Sequence, residues 1–179
     1  MSSELKILLA VTRNLPPVKG AGWLANKLKA FYNRKSRPTV IAEVLGFELE
    51  LEPAECVDGA LLFYPHFYDR REFAFLQRQL QPGETFVDVG ANVGIYSLVA
   101  SQLVGNRGRV ISIEADPYSS EKLISNVRRN NIRNIEVEQI GVSDSSETLL
   151  LHQQTAGNRG RQYVCWGRRW CANRLFASA

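Results

Sequence analysis

A chain of 179 residues with 45% hydrophobic and 22% charged side chains suits one ordinary folded core and excludes a disordered or fibrous protein. Its early apolar run, Ile7-Leu8-Leu9-Ala10-Val11, falls far short of the roughly 20 residues of a membrane span and lacks a signal peptide's cleavage pattern. The cytoplasm is therefore the expected compartment. The net charge of +4 is unevenly placed: five of the 22 Lys and Arg, and no acid, lie from Thr148 to Ala179, so residues 1–147 hold 17 against 18 acids. The basic balance is thus a property of the tail, and no nucleic-acid partner is expected for the folded part.

Residues 5–11 predict a short helix or strand, broken by Pro16-Pro17. Trp23, Leu24, Leu28 and Phe31 recur at helical spacing, with Lys27 and Lys29 directed elsewhere. That pattern predicts an amphipathic helix packed through its apolar stripe, ahead of a membrane-surface or partner-binding one. Residues 39–44 and 47–51 read as two strands around Leu45-Gly46, and in the second Phe47, Leu49 and Leu51 alternate with Glu48 and Glu50. Residues 60–64 read as a further strand ended by Pro65. His66, among Tyr64, Phe67 and Tyr68, reads as a packing or surface residue ahead of a catalytic base. Asp69-Arg70-Arg71-Glu72 has a capping-box pattern and opens a helix bearing Phe73, Leu76 and Leu80, which Pro82-Gly83 ends. The chain thus divides into an N-terminal helical and β appendage over 1–69, an α/β domain over 70–160 and an irregular tail over 161–179.

The stretch from Glu84 to Gly94 organises the rest of the chain. Phe86, Val87 and Val89 are the apolar β-formers of a buried parallel strand. Gly90 and Gly94 permit a tight turn, and Ile95, Leu98, Val99 and Leu103 give the next helix a core-facing stripe. A dinucleotide fingerprint reads G-x-G-x-x-G and cradles a pyrophosphate at the helix start. Here the pattern is Asp88-x-Gly90-x-Asn92-x-Gly94, whose carboxylate repels a pyrophosphate and attracts an ammonium group. Residues 110–113 then form a second strand ending in Glu114, an acid placed to accept hydrogen bonds from the two hydroxyls of a ribose. A cationic amino acid joined to adenosine satisfies both ends, which points to S-adenosylmethionine. Asp116 and Pro117 open the next helix, with Leu123, Ile124 and Val127 inward and Arg128-Arg129 at its end as a solvated pair that complements the helix dipole. Residues 135–140 alternate as a third strand.

PGETFVDVGANVGIYSLVA, GRVISIEADP, SNVRRNN and IEVEQIGVSD come one after another as in the Rossmann-type S-adenosylmethionine-dependent methyltransferases. The stretch D-x-G-A-N-x-G resembles more narrowly the first motif of the FkbM group, over about residues 80–155. The resemblance implies an α/β class I methyltransferase fold, an open and mostly parallel sheet with helices on both faces. It implies a loop after the third strand that lies beside the adenine, with Val142 packing on the ring. Asp144 there serves either as acceptor for the adenine amino group or as an ordinary turn residue. It further implies O-methylation of a small-molecule or saccharide hydroxyl, with no general base identified.

The tail departs from that pattern. The family's later Leu-Asp pair and acidic strand are absent, so the C-terminal half of the fold is incomplete. Residues 148–153 read as one more strand, but 161–171, rich in Arg, Trp and Cys, show neither helical nor strand period and resemble translation in a shifted reading frame after about residue 160. Cys165 and Cys171 have no nearby His or second Cys pair to complete a zinc site, and no metal is expected. Two further functions stay open beside methyl transfer: a non-catalytic fragment that only holds the nucleoside, and a nicotinamide-dependent oxidoreductase, which Asp88 argues against.

Overall fold

The computed structural model describes residues 2–16, 18, 20–35 and 37–143, and the backbone of 150–152, 163–166 and 170–172. The chain forms two compact units, Met1–Phe75 and Leu76–Ala179. Among the described residues no helix is long and apolar enough to cross a membrane.

The first unit opens with α1 (Ser3–Arg13), capped by Ser2, whose hydroxyl accepts from the Leu5 N–H at 3.3 Å. α2 (Ala21–Tyr32) is next, then the antiparallel pair β1 (Val40–Val44) and β2 (Phe47–Leu51). These strands fall where the alternation places them, and Val40, Ala42, Val44, Phe47, Leu49 and Leu51 all point inward. Leu45 and Gly46 both have positive φ, 52° and 85°, the backbone of a type I′ turn. The Arg13 guanidinium donates to the carbonyls of Leu62 and Glu43, each at 2.9 Å, tying α1 to both neighbours.

Two expectations fail in this unit. Residues 60–64 do not form a strand; they lie in α3 (Cys56–Phe63) and at its end. A short apolar run is ambiguous between a buried strand and a buried helix, and the residues before it decide the matter. Asp58 accepts the Glu52 N–H at 2.8 Å in the first turn, and Leu61, Leu62 and Phe63 are completely buried. The second concerns α2, which packs through Ala21, Ala25 and Tyr32 and leaves Trp23, Leu24 and Phe31 exposed. Small residues allow the closer approach, so the helix turns its larger apolar side chains outward. His66, in the 3₁₀ turn Pro65–Phe67, has Nε2 3.1 Å from the Leu15 carbonyl and its ring against Phe67, as a packing residue would.

In the second unit, α4 (Arg70–Gln79), which begins in the first, leads into β3 (Thr85–Val89), α5 (Ile95–Val104), β4 (Arg109–Ile113), α6 (Pro117–Arg129) and β5 (Ile135–Glu138). The three strands form a parallel sheet in the order β3-β4-β5, with β4 in the middle. Ala100, Val104 and Val110 make its core, and Leu80, Phe86 and Ile135 pack on them. β3 pairs with β4 along one edge, and no described strand pairs with the other. Its Val87 and Val89 are 50% and 51% exposed, so the strand read as buried is only partly covered.

β6 (Leu150–His152), β7 (Tyr163–Trp166) and β8 (Trp170–Ala172) form a separate antiparallel sheet. The segment read as lacking any period thus contains two strands. Tyr, Val and Trp, frequent in this segment, are β-favouring residue types even without alternation.

Candidate functional site

The carboxyl ends of β3 and β4 meet at the Gly90–Gly94 turn. Register sets this up: Asp88 lies opposite Ser112, and Val89 opposite Ile113. The N–H groups of Gly90 and Ala91 both donate to the Ile113 carbonyl, at 2.8 and 3.1 Å, so the turn folds back over the end of β4. Gly90 has φ 79°, and a Cβ built there would meet nothing within 4 Å. Its requirement is backbone conformation beside open space. Gly94, with φ 90°, is the residue before α5, and a Cβ there would come within 2.1 Å of Leu123 Cδ1. Its requirement is close helix packing as well. Asn92 takes φ 49°, which Asn tolerates better than most residues.

Two carboxylates flank this turn. Asp88 accepts the Ser97 hydroxyl at 2.6 Å, and Ser97 in turn accepts the buried Ser112 hydroxyl at 2.7 Å. Burial pushes the Asp88 carboxyl above its ordinary range, and the Ser97 hydrogen bonds pull against that. Glu114 is 7% exposed. One of its oxygens accepts the Asn92 N–H at 2.8 Å and the other the Asp116 N–H at 2.9 Å. Its carboxyl is also raised, chiefly by burial, with the charges of Asp116 and Asp88 adding to the effect. Each Glu114 oxygen keeps a second lone pair beyond these bonds. Two carboxylates whose charge the surroundings disfavour, beside an open glycine position, fit a cationic nucleoside and would repel a pyrophosphate.

The structure thus brings Asp88, Gly90, Asn92, Gly94 and Glu114 together. Val142 comes after β5, whose carboxyl end lies beside that of β4 through the Glu114 N–H to Glu138 carbonyl bond at 3.0 Å; its side chain is 48% exposed. Asp144 lies outside the described residues. Sequence reasoning passed over Ser97 and Ser112. A hydroxyl in the middle of the apolar strand Val110-Ile111-Ser112-Ile113 was the available signal, and pairing Asp88 with Ser112 gives it a meaning. Asn126 was also missed: completely buried on α6, it donates to the Val93 carbonyl at 3.0 Å and holds the turn from behind. Among the described residues no group of three His, Cys, Asp or Glu side chains is placed to hold a metal ion.

The TRM5/TYW2 methyltransferase domain matches residues 57–156, more than half of the chain. A probable cobalt-precorrin-6B C(15)-methyltransferase (decarboxylating) of Sulfolobus acidocaldarius is 36% identical over 67 residues, 37% of this chain and 35% of that protein's length. The chain therefore spans about a third of that relative. Among solved structures, P. horikoshii TYW2 in complex with MeSAdo matches with a TM-score of 0.45 and 17% identity, over 69% of this chain and 50% of that one. Trm5b from Pyrococcus abyssi has a TM-score of 0.45 and 20% identity, over 57% of this chain and 28% of that one.

These findings correct two expectations. The family that matches is TRM5/TYW2 and not the FkbM group, whose resemblance rested on the one short stretch D-x-G-A-N-x-G. The absence of a nucleic-acid partner is overturned as well, since the matching family comprises tRNA methyltransferases. Averaging the charge over residues 1–147 had concealed its uneven placement. With the Asp88–Gly94 turn and Glu114 arranged as described, and more than half of its length matched, the chain belongs to the TRM5/TYW2 family of S-adenosylmethionine-dependent methyltransferase domains.

Proposed function

We propose that this chain holds S-adenosylmethionine through Asp88, Gly90, Asn92, Gly94, Glu114 and Val142 and serves methyl transfer to an RNA, of the tRNA class its family modifies. The observation that carries the cofactor part is the pair of raised carboxylates on either side of the open Gly90 position. Family membership carries the acceptor. When bound, S-adenosylmethionine supplies an electrophilic methyl group on a positive sulfur.

Each residue then has a stated task. Asp88, held in place by Ser97, faces the ammonium of the methionine part. Glu114 keeps the turn in shape through the Asn92 and Asp116 N–H groups and accepts the ribose hydroxyls with its remaining lone pairs. Gly90 leaves room for the ligand to approach the backbone. Val142 offers an exposed apolar surface to the adenine, and Asp144 can accept from the adenine amino group. Together these groups position the methyl donor, so that the in-line attack of an acceptor costs little orientational entropy. No side chain among them is assigned as general base.

A second reading, cofactor binding without turnover, is favoured by the partly exposed β3 strand, whose other edge pairs with no strand among the described residues. Calorimetric titration of the whole chain with S-adenosylmethionine, S-adenosylhomocysteine and NAD tests the cofactor site. The first two should bind, NAD should not, and Asp88→Ala with Glu114→Ala should abolish binding. A folded chain that binds none of the three rejects the cofactor reading. Methyl transfer from radiolabelled S-adenosylmethionine to bulk tRNA separates the two readings: incorporation supports the enzyme, and binding without incorporation supports the fragment.

A further inference from the structure

The first 37 residues contain eight Lys and Arg against a single acid, Glu4, while residues 38–147 contain nine against 17. Glu4 is already engaged by Arg37 at 2.9 Å, and the Arg37 guanidinium lies 4.1 Å from the centre of the Tyr32 ring. On α2 the inward face is defined by Ala21, Ala25 and Tyr32. At 3.6 residues per turn, the opposite side carries Trp23, Lys27 and Phe31 one turn apart, with Arg34 just beyond the helix end in line with them. Trp23 is 66% and Phe31 54% exposed. The Lys27 ammonium stands 5.6 Å from the Trp23 ring centre, and the Arg34 guanidinium 5.2 Å from that of Phe31. The two rings are eight residues apart, about 12 Å along the axis.

The placement of charge within this stripe selects the partner. A helix lying on a bilayer keeps its apolar stripe free of cations and collects them on the opposite face. Here the cations alternate with the rings, so immersing the rings would drag Lys27 and Arg34 into the hydrocarbon, at a cost of several kcal/mol. A single nucleic-acid strand presents what this stripe lacks, π-faces for the rings and phosphates for the cations between them. We propose that the Trp23–Lys27–Phe31–Arg34 stripe of α2 is a docking surface for single-stranded RNA, with bases stacked on Trp23 and Phe31 and phosphates against Lys27 and Arg34. The proposal rests on the RNA-acceptor reading above and adds the surface through which the acceptor is held.

Fluorescence anisotropy of the whole chain with a labelled oligouridylate, at several salt concentrations, tests it. Trp23→Ala and Phe31→Ala should each weaken binding by about tenfold, and Trp23→Phe should retain most of it. Lys27→Glu with Arg34→Glu should weaken binding further and lower the slope of log affinity on log salt by about two. All four positions lie on the outward stripe, so circular dichroism and S-adenosylmethionine affinity should match the parent chain. RNA affinity unchanged in the alanine and glutamate variants overturns the docking surface alone. A parent chain that binds S-adenosylmethionine but not RNA overturns both the surface and the RNA-acceptor reading. Binding to phosphatidylserine vesicles that these substitutions abolish, with RNA affinity untouched, assigns the stripe to lipid and also overturns the proposal.

Discussion

Asp88 is a charged group in a place that disfavours its charge, and this makes it useful. Burial raises its carboxyl above the ordinary value of 3.8, against the pull of the Ser97 hydrogen bonds. A group whose folded-state value is raised adds stability that is present below the unfolded value and lost as pH rises through the folded one. At neutral pH the ionised Asp88 therefore costs stability. Asp88→Asn keeps the shape and a hydrogen-bonding partner for Ser97 without the charge. It should stabilise the ligand-free chain by about 1 kcal/mol in denaturant melts at pH 7, while S-adenosylmethionine binding is lost. Equal or lower stability in that variant would show that the Ser97 bond outweighs burial. The same sign governs the ligand: a cation favours ionised Asp88 and Glu114, so S-adenosylmethionine affinity should fall as pH drops through their raised range, and binding should release protons. Titration in buffers of different ionisation enthalpy measures that release. The two glycines of the turn separate a stability role from a binding role. Gly94→Ala combines φ 90° with a clash against Leu123 and should cost about 3 kcal/mol. Gly90→Ala meets only open space at φ 79° and should cost about 1–2 kcal/mol, yet weaken the cofactor at least tenfold if the ligand approaches the backbone there.

Among the elements, the β1–β2 hairpin was the most legible. Two alternating runs around a two-residue turn leave little choice of register, because a slip by one residue would turn Phe47, Leu49 and Leu51 outward. The turn itself is imperfect, since Leu45 occupies a left-handed conformation, φ 52°, that suits Asn far better. Leu45→Asn should therefore raise the melting midpoint of the first unit, by the equivalent of about 0.5–1 kcal/mol, and an unchanged midpoint would mean that the 43%-exposed Leu45 side chain contributes packing of the same size. The helices were legible as helices and less so in orientation. For α2, spacing marked an apolar stripe, but the buried face is the one with Ala21 and Ala25, because inward orientation depends on how closely the neighbouring backbone can approach. For α3, the run Ala60-Leu61-Leu62-Phe63 has no period to distinguish strand from helix, and the deciding Glu52–Asp58 bond depends on a chain reversal that local pattern does not carry. The Asp88–Gly94 turn was legible because glycine positions and strand-end acids are set by local geometry. Ser97 and Asn126 were not, because their partners, Asp88 and Val93, come near only once the helices are docked.

At the scale of the whole molecule, charge and sheet edge are the features a local reading missed or undervalued. The first 37 residues are strongly basic and the next 110 strongly acidic, so a net charge near zero over residues 1–147 describes neither. The acceptor class was correspondingly illegible in the Asp88–Gly94 motif, whose proposed role concerns the methyl donor alone. The sheet edge carries a consequence for the isolated chain. Strands of parallel sheets are ordinarily covered on both faces and paired on both sides. β3 has β4 on one side and no described strand on the other, and Val87 and Val89 stand half exposed beside it. An apolar strand with free N–H and C=O groups is a template for another chain. Concentration-dependent self-association is therefore expected, and Val87→Lys should suppress it by placing a charge on the exposed face. Because Val87 is already half in water, the substitution should change stability by less than about 1 kcal/mol. Sedimentation velocity over a range of concentrations, with denaturant melts alongside, measures both quantities. A parent chain that stays monomeric throughout would show the edge to be protected in solution. A Val87→Lys chain that associates as strongly as the parent would place the contact elsewhere, with the outward Trp23 and Phe31 of α2 the next surface to substitute.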